Sequence, residues 1–153
     1  MSLSKNVGAE APLARYRVLL VDDDATVLRS MAATLEFEHE LAVDVCTSAG
    51  RALDLIASGD FHVVCSDYSM PGMTGLELLE HVQGLPRAVG CLLVTGATSF
   101  VSRNADGAGD HYVLVKPVDP ARLSTMILQL ARTAEIKRGG RRVTRPDERK
   151  ATR

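Results

Sequence analysis

The chain has 153 residues, enough for one domain with a substantial core and too few for two comfortable ones. Hydrophobic residues make up 46% but aromatics only 4%, with no Trp, so Val, Leu, Ala and Met must build the core. The net charge of −1 conceals an asymmetry: residues 137–153 hold eight Lys/Arg against Asp147 and Glu148, a net of +6, which leaves −7 on the rest. No apolar run approaches the ~18 residues needed to span a bilayer, and the N-terminus lacks the charged-then-apolar order of a signal peptide. Cys46, Cys65 and Cys91 show no CxxC spacing and fall in or beside apolar runs, so they read as small buried hydrophobes. Membrane-spanning and disulfide-framework classes are thereby excluded, and a reducing, cytoplasmic setting is expected.

Residues 1–14 are small and polar and read as a loose leader. Arg17 to Val21 is a short apolar run with the character of an interior parallel strand, closed by Asp22-Asp23-Asp24. Val27, Leu28, Met31, Ala32 and Leu35 then share one face at helical spacing. Leu41 to Cys46 is a second strand, and Ala49 to Ala57 a short amphipathic helix stopped by Ser58-Gly59-Asp60. Phe61 to Ser66 is a third strand running into Asp67, followed by a turn-rich loop, Ser69 to Gly75, and a helix carrying Leu76, Leu78, Leu79 and Val82. Gly90 to Val94 is a fourth strand. The stretch Ser99 to Asp110 has few apolar residues and is interrupted by Gly107 and Gly109, so any helix there is short and poorly anchored. His111 to Val115 is the fifth strand, closed by Lys116-Pro117, and Pro120 to Ala134 the last helix. From Lys137 onward, dense charge with Gly139-Gly140 and Pro146 reads as a disordered basic tail or linker. Strands alternating with helices predict an α/β doubly wound parallel sheet of five strands, with right-handed crossovers and helices on both faces.

The chemistry gathers at strand ends, the edge where ligands sit in open α/β sheets. Asp22 and Asp23 close the first strand, Asp67 the third, and Lys116 the fifth. Taken singly each has a bland reading: an acidic triplet is a solvated turn, a strand-end Asp a helix cap, a Lys-Pro pair punctuation. Their joint occurrence favours a site. Carboxylates brought to ~5 Å at an effective dielectric of ~20 repel by about 3 kcal/mol per pair. A hard dication such as Mg²⁺, which takes oxygen ligands and keeps several waters, relieves that repulsion. His39, His62, His81 and His111 lack metal-ligand spacing and read as structural or surface residues.

Four segments in order carry a resemblance: Val-Asp-Asp-Asp at 21–24, Ser-Asp-Tyr-Ser-Met-Pro-Gly-Met-Thr-Gly-Leu-Glu-Leu-Leu at 66–79, Leu-Val-Thr-Gly at 93–96 and Val-Lys-Pro at 115–117. Across about residues 16–135 the chain resembles the receiver domain of two-component response regulators. The resemblance implies the flavodoxin-like strand order 2-1-3-4-5 and a receiver domain over residues 15–136. It also implies Mg²⁺ held by Asp23 and Asp67 directly, by Asp22 mainly through water and by the Ser69 carbonyl. Asp67 is then the phosphoacceptor, with Thr95 and Lys116 each holding a phosphoryl oxygen, Gly96 leaving room for the phosphate, and Lys116-Pro117 a cis bond. Asp24 faces solvent or starts the first helix. The donor is a sensor histidine kinase or phosphotransfer protein, and output runs through protein contacts with a downstream target, with a phosphorylation-dependent dimer as one form. No helix-turn-helix follows residue 136, which argues against specific DNA reading. The basic tail reads first as a solvated linker and second as a contact for nucleic acid or an acidic partner.

One position departs from the pattern. Receivers usually carry an aromatic three residues before the lysine; here Val113 stands there, with Tyr112 one place earlier. Because side chains alternate along a strand, Tyr112 is expected on the opposite face unless a bulge intervenes. The usual Thr-aromatic switch is then in doubt, and phosphorylation is expected to act by ordering Ser99 to Asp110. Two other functions compete: a Mg²⁺-dependent phosphohydrolase with an Asp nucleophile, resembling the haloacid dehalogenase-like group through Asp22-Asp23-Asp24-Ala25-Thr26, and a phosphorylation-independent interaction module. The Met-Pro-Gly-Met loop after Asp67 and the lack of a cap domain disfavour the first. Retention of every acidic residue, Thr95 and Lys116 disfavours the second.

Overall fold

The computed structural model describes residues 14–96 and 111–139. The expectations for the leader, for Ser99 to Asp110 and for the chain beyond Gly139 lie outside them. The described chain runs β1 (Tyr16–Val21), α1 (Ala25–Leu35), β2 (Leu41–Cys46), α2 (Ala49–Ser58), β3 (Val63–Asp67), α3 (Gly75–Gln83), β4 (Gly90–Thr95), β5 (His111–Val115) and α4 (Pro120–Gly139). All strand pairs are parallel, in the order β2-β1-β3-β4-β5. The expected topology is therefore the observed one.

Alternation along the strands divides the core. Val18, Leu20, Val63, Cys65, Leu92, Val94 and Leu114 face α1 and α4, where Leu28, Leu35, Leu123 and Ile127 meet them. Leu19, Val21, Val64, Cys91 and Leu93 face α2 and α3, meeting Ala52, Ile56, Leu78, Leu79 and Val82. Apart from Arg17, every residue of β1 is buried, as an interior strand covered on both sides requires. Fully burying one such Leu or Val contributes about 2 kcal/mol.

The third strand is shorter than its apolar run implied. Phe61 and His62 precede it, although the His62 N–H still donates to Arg17 O at 2.8 Å and His62 O accepts from Gly90 N at 2.8 Å. The last helix is longer than expected, running past Ala134 and the assumed start of the tail to Gly139. Its end is tied down: the Arg138 guanidinium donates to Phe61 O at 2.6 Å, Ala88 O at 2.8 Å and Asp60 Oδ1 at 2.9 Å. Lys137 and Arg138 also complement the negative end of the helix dipole. Nothing in the apolar periodicity announces these contacts.

On the same lower edge, Tyr16 donates to Glu135 Oε2 at 2.7 Å, and its ring meets His62 edge-on with centroids 5.4 Å apart. The His62 Nδ1 accepts the Arg17 backbone N–H at 3.1 Å. Burial, and then the Arg138 charge, hold the His62 pKa below its ordinary value. A folded pKa below the unfolded one makes the unfolded chain the stronger proton binder, so His62 supports stability above its ordinary pKa of about 6.5. That support is lost as pH falls through the ordinary value towards the lower folded one. Thermal unfolding followed between about pH 8 and pH 5 should show a shallower acid-side loss of Tm in His62→Gln than in wild type.

Candidate functional site

Three strand ends build the site. β1 delivers Asp22 and Asp23, β3 delivers Asp67, and the turn after β5 delivers Lys116. Because β1 and β3 are neighbours in the sheet, carboxylates 45 residues apart in sequence become adjacent: Asp22, Asp23 and Asp67 each offer an oxygen within 4.8 Å of the others. Asp22 is 3% exposed and the Asp67 side chain 11%, while Asp23 is open to solvent.

Lys116 enters from the far side. Its Nζ lies 3.1 Å from Asp67 Oδ1 and 3.3 Å from Asp22 Oδ2. The Lys116-Pro117 bond is cis, and the Lys116 N–H donates to Thr95 O at 2.8 Å, which pairs the ends of β4 and β5. Thr95 is buried at the end of β4. Ser69 sits two residues past Asp67 on the exposed loop, and Gly96 follows Thr95 at an exposed position. Asp22, Asp23, Asp67 and Lys116 are thus brought together, while Thr95 ends the neighbouring strand and Ser69 and Gly96 stand on the segments that follow β3 and β4.

The electrostatics follow from the geometry. Burial pushes the Asp22 carboxyl above the usual carboxylate range; the hydrogen bond from the Asp24 N–H opposes this, and the Asp67 charge adds to it. Burial alone would lower the Lys116 ammonium, but its hydrogen bond to Asp67 and the charges of both aspartates outweigh that and raise its pKa. With the carboxylates ionised, three negative charges face one ammonium. The remaining two match one hard dication, and the oxygen-only donor set fits Mg²⁺.

The backbone around Asp67 is held from behind. The Ser66 hydroxyl donates to Asp67 O at 2.9 Å, and the Gly75 N–H donates to Tyr68 O at 2.9 Å. A Cβ on Gly75 would lie 2.0 Å from Asp67 O. By sequence Gly75 reads only as a turn residue; its position directly before an apolar helical run is the available signal. The loop between them turns at Gly72, whose φ of 83° is a conformation few other residues adopt. Thr74 and Glu77 then close α3 with a reciprocal capping box.

The tyrosine offset is real. Register between β4 and β5 is unbroken from Cys91↔His111 to Thr95↔Val115, so no bulge restores the ring. Tyr112 is 53% exposed on the α4 side, beside Met126 and Gln129, whereas Val113 packs with the α2 and α3 cluster.

A family description reading "Response regulator receiver domain" matches residues 18–128, and the chain belongs to that family. A receiver domain from Methanospirillum hungatei JF-1, described as CheY-like, is 32% identical with a TM-score of 0.68, covering 78% of this chain and 96% of that one. The response regulator TrrA from Thermotoga maritima, solved with Mg²⁺-BeF, is 27% identical with a TM-score of 0.66, covering 75% of this chain and 98% of its own. The C4-dicarboxylate transport transcriptional regulatory protein DctD of Rhizobium meliloti is 36% identical over 124 residues, which is 79% of this chain and 25% of that protein. Indeed the chain spans only 18% to 34% of the length of several curated regulators it resembles. Receivers of two-component systems are in general signalling domains and not catalysts, and they bind Mg²⁺ at an acidic pocket.

Replacing Gly75 should disturb Asp67 before anything else. Gly75→Ala is expected to displace the Asp67 carbonyl, lowering stability by about 2 kcal/mol in denaturant titration. Gly72→Ala, which meets open space, should cost less, through its φ alone.

Proposed function

We propose that this chain is a phosphorylation-controlled switch with Asp67 as phosphoacceptor. The reading rests on one observation: a single ammonium reaches both Asp67 and Asp22 within a pocket of three clustered carboxylates. A phosphohistidine on a sensor kinase or phosphotransfer protein is the donor. An Asp67 carboxylate oxygen attacks phosphorus in line; the new O–P bond makes an acyl phosphate as the P–N bond breaks, and the imidazole leaves with the electron pair. No general base is needed, because the nucleophile arrives ionised.

Positioning and charge neutralisation carry most of such a transfer. Lys116 holds one phosphoryl oxygen, and the Thr95 hydroxyl takes another. Asp23 and Asp67 would hold Mg²⁺ directly, with Asp22 acting through water and the Ser69 carbonyl as a further oxygen. The ion, when bound, supplies charge neutralisation for the incoming phosphoryl group. That the Thermotoga relative was solved in complex with Mg²⁺-BeF supports Mg²⁺ as the ion.

No helix among the described residues is long and apolar enough to cross a membrane, and a cytoplasmic switch is the setting we assign. Output runs through contacts with a downstream protein or a second phosphorylated copy. Phosphorylation labels each chain once, unlike the repeated turnover of a phosphohydrolase.

Incubation with acetyl phosphate and Mg²⁺, read by intact mass, should add one phosphoryl group to wild type and none to Asp67→Asn. EDTA should abolish the label, and Lys116→Met should slow it by about a hundredfold, as loss of one positioned donor does. Continuous release of phosphate over many equivalents would instead favour the hydrolase.

A further inference from the structure

Asp24, the last member of the acidic run, takes no part in the carboxylate cluster. It caps α1. Its Oδ1 accepts the Thr26 N–H at 2.9 Å and the Val27 N–H at 3.4 Å, and its backbone is extended at φ −90° and ψ 104°. The N–H of the same residue donates to Asp22 Oδ1 at 2.9 Å. One residue thus joins the start of a helix to a carboxylate in the pocket.

The second bond does something the first does not. Asp22 is almost fully buried, so its oxygens need partners: Oδ2 has the Lys116 ammonium at 3.3 Å, and Oδ1 has the Asp24 N–H. Its backbone is fixed too, since the Asp22 N–H donates to Cys46 O at 3.1 Å. The rotation of the carboxylate is set by Lys116 at one oxygen and by the direction of the Asp24 N–H at the other. That direction depends on the Asp24 peptide, which the cap holds against the first turn of α1.

We propose that Asp24 is a positioning residue of the metal pocket: by capping α1 it fixes the N–H that orients Asp22. This rests on the reading of the pocket as a Mg²⁺ site. Only the neutral hydrogen-bonding capacity of the side chain is required, so Asn and Ser, both strong caps, serve in its place and Ala does not. A long-range charge effect makes the opposite demand, because Asn and Ser lack the charge as Ala does.

The test uses the full chain with MgCl2 as the probe, titrated by amide NMR, with Tm recorded separately in EDTA. Wild type, Asp24→Asn and Asp24→Ser are expected to bind within twofold of one another. Asp24→Ala is expected to bind about fivefold more weakly, in line with the loss of one cap, and its residue-24 amide should lose the downfield position of an N–H bonded to a carboxylate. If Asp24→Ala lowers Tm in EDTA yet binds Mg²⁺ like wild type, the cap is structural only and the proposal is overturned. It is also overturned if Asp24→Asn and Asp24→Ser bind as weakly as Asp24→Ala. Failure of wild type itself to bind Mg²⁺ overturns the functional reading, and this one with it.

Discussion

The crowding of three carboxylates at one edge of the sheet is the constraint around which the rest is arranged. Like charges at that spacing repel by about 3 kcal/mol per pair at an effective dielectric of ~20, so the pocket persists only because folding energy from elsewhere holds β1 beside β3. That energy comes from the two apolar clusters that sandwich the central strands. Lys116 offsets part of the repulsion, and the remainder is an unspent attraction for a dication. Helix ends and tight glycine contacts around the loops keep the anions from relaxing apart.

Much of this was legible in the residues. Interior parallel strands announce themselves as unbroken apolar runs, and β1, β3 and β4 are such runs with polar residues only at their ends. The pocket was legible for the same reason: Asp22 and Lys116 stand at the first polar step past an apolar segment and Asp67 at the second, after Ser66, where a doubly wound sheet places its ligands. Contacts to backbone atoms leave no such signal. Arg138 extends α4 by bonding carbonyls at residues 61 and 88, and Arg87 donates to Ile56 O and Gly59 O at the end of α2. Such bonds join segments far apart in sequence and leave no periodicity. The void that Gly75 must leave for the Asp67 carbonyl was hidden likewise, since a glycine among turn residues looks like another turn.

The departure at positions 112 and 113 shows how a one-residue offset acts in a regular sheet. Thr95 shares its side of the sheet with Leu93 and Val113, and Tyr112 shares the other with Leu92 and Leu114. A ring on the α4 side cannot follow a movement of Thr95 without crossing the sheet. On the Thr95 side, position 113 carries a small β-branched side chain packed against the α2 and α3 cluster.

Cys65 sits in β3 two residues before Asp67 and is wholly enclosed. Burial first, then the nearby charges of Asp22 and Asp67, push its thiol up to about 12. Sulfur is the stronger nucleophile only as thiolate, and here that form is suppressed at any physiological pH. Enclosure, with the charges of Asp22 and Asp67 adding to it, thus keeps the sulfur two residues from Asp67 in its protonated, weakly nucleophilic form.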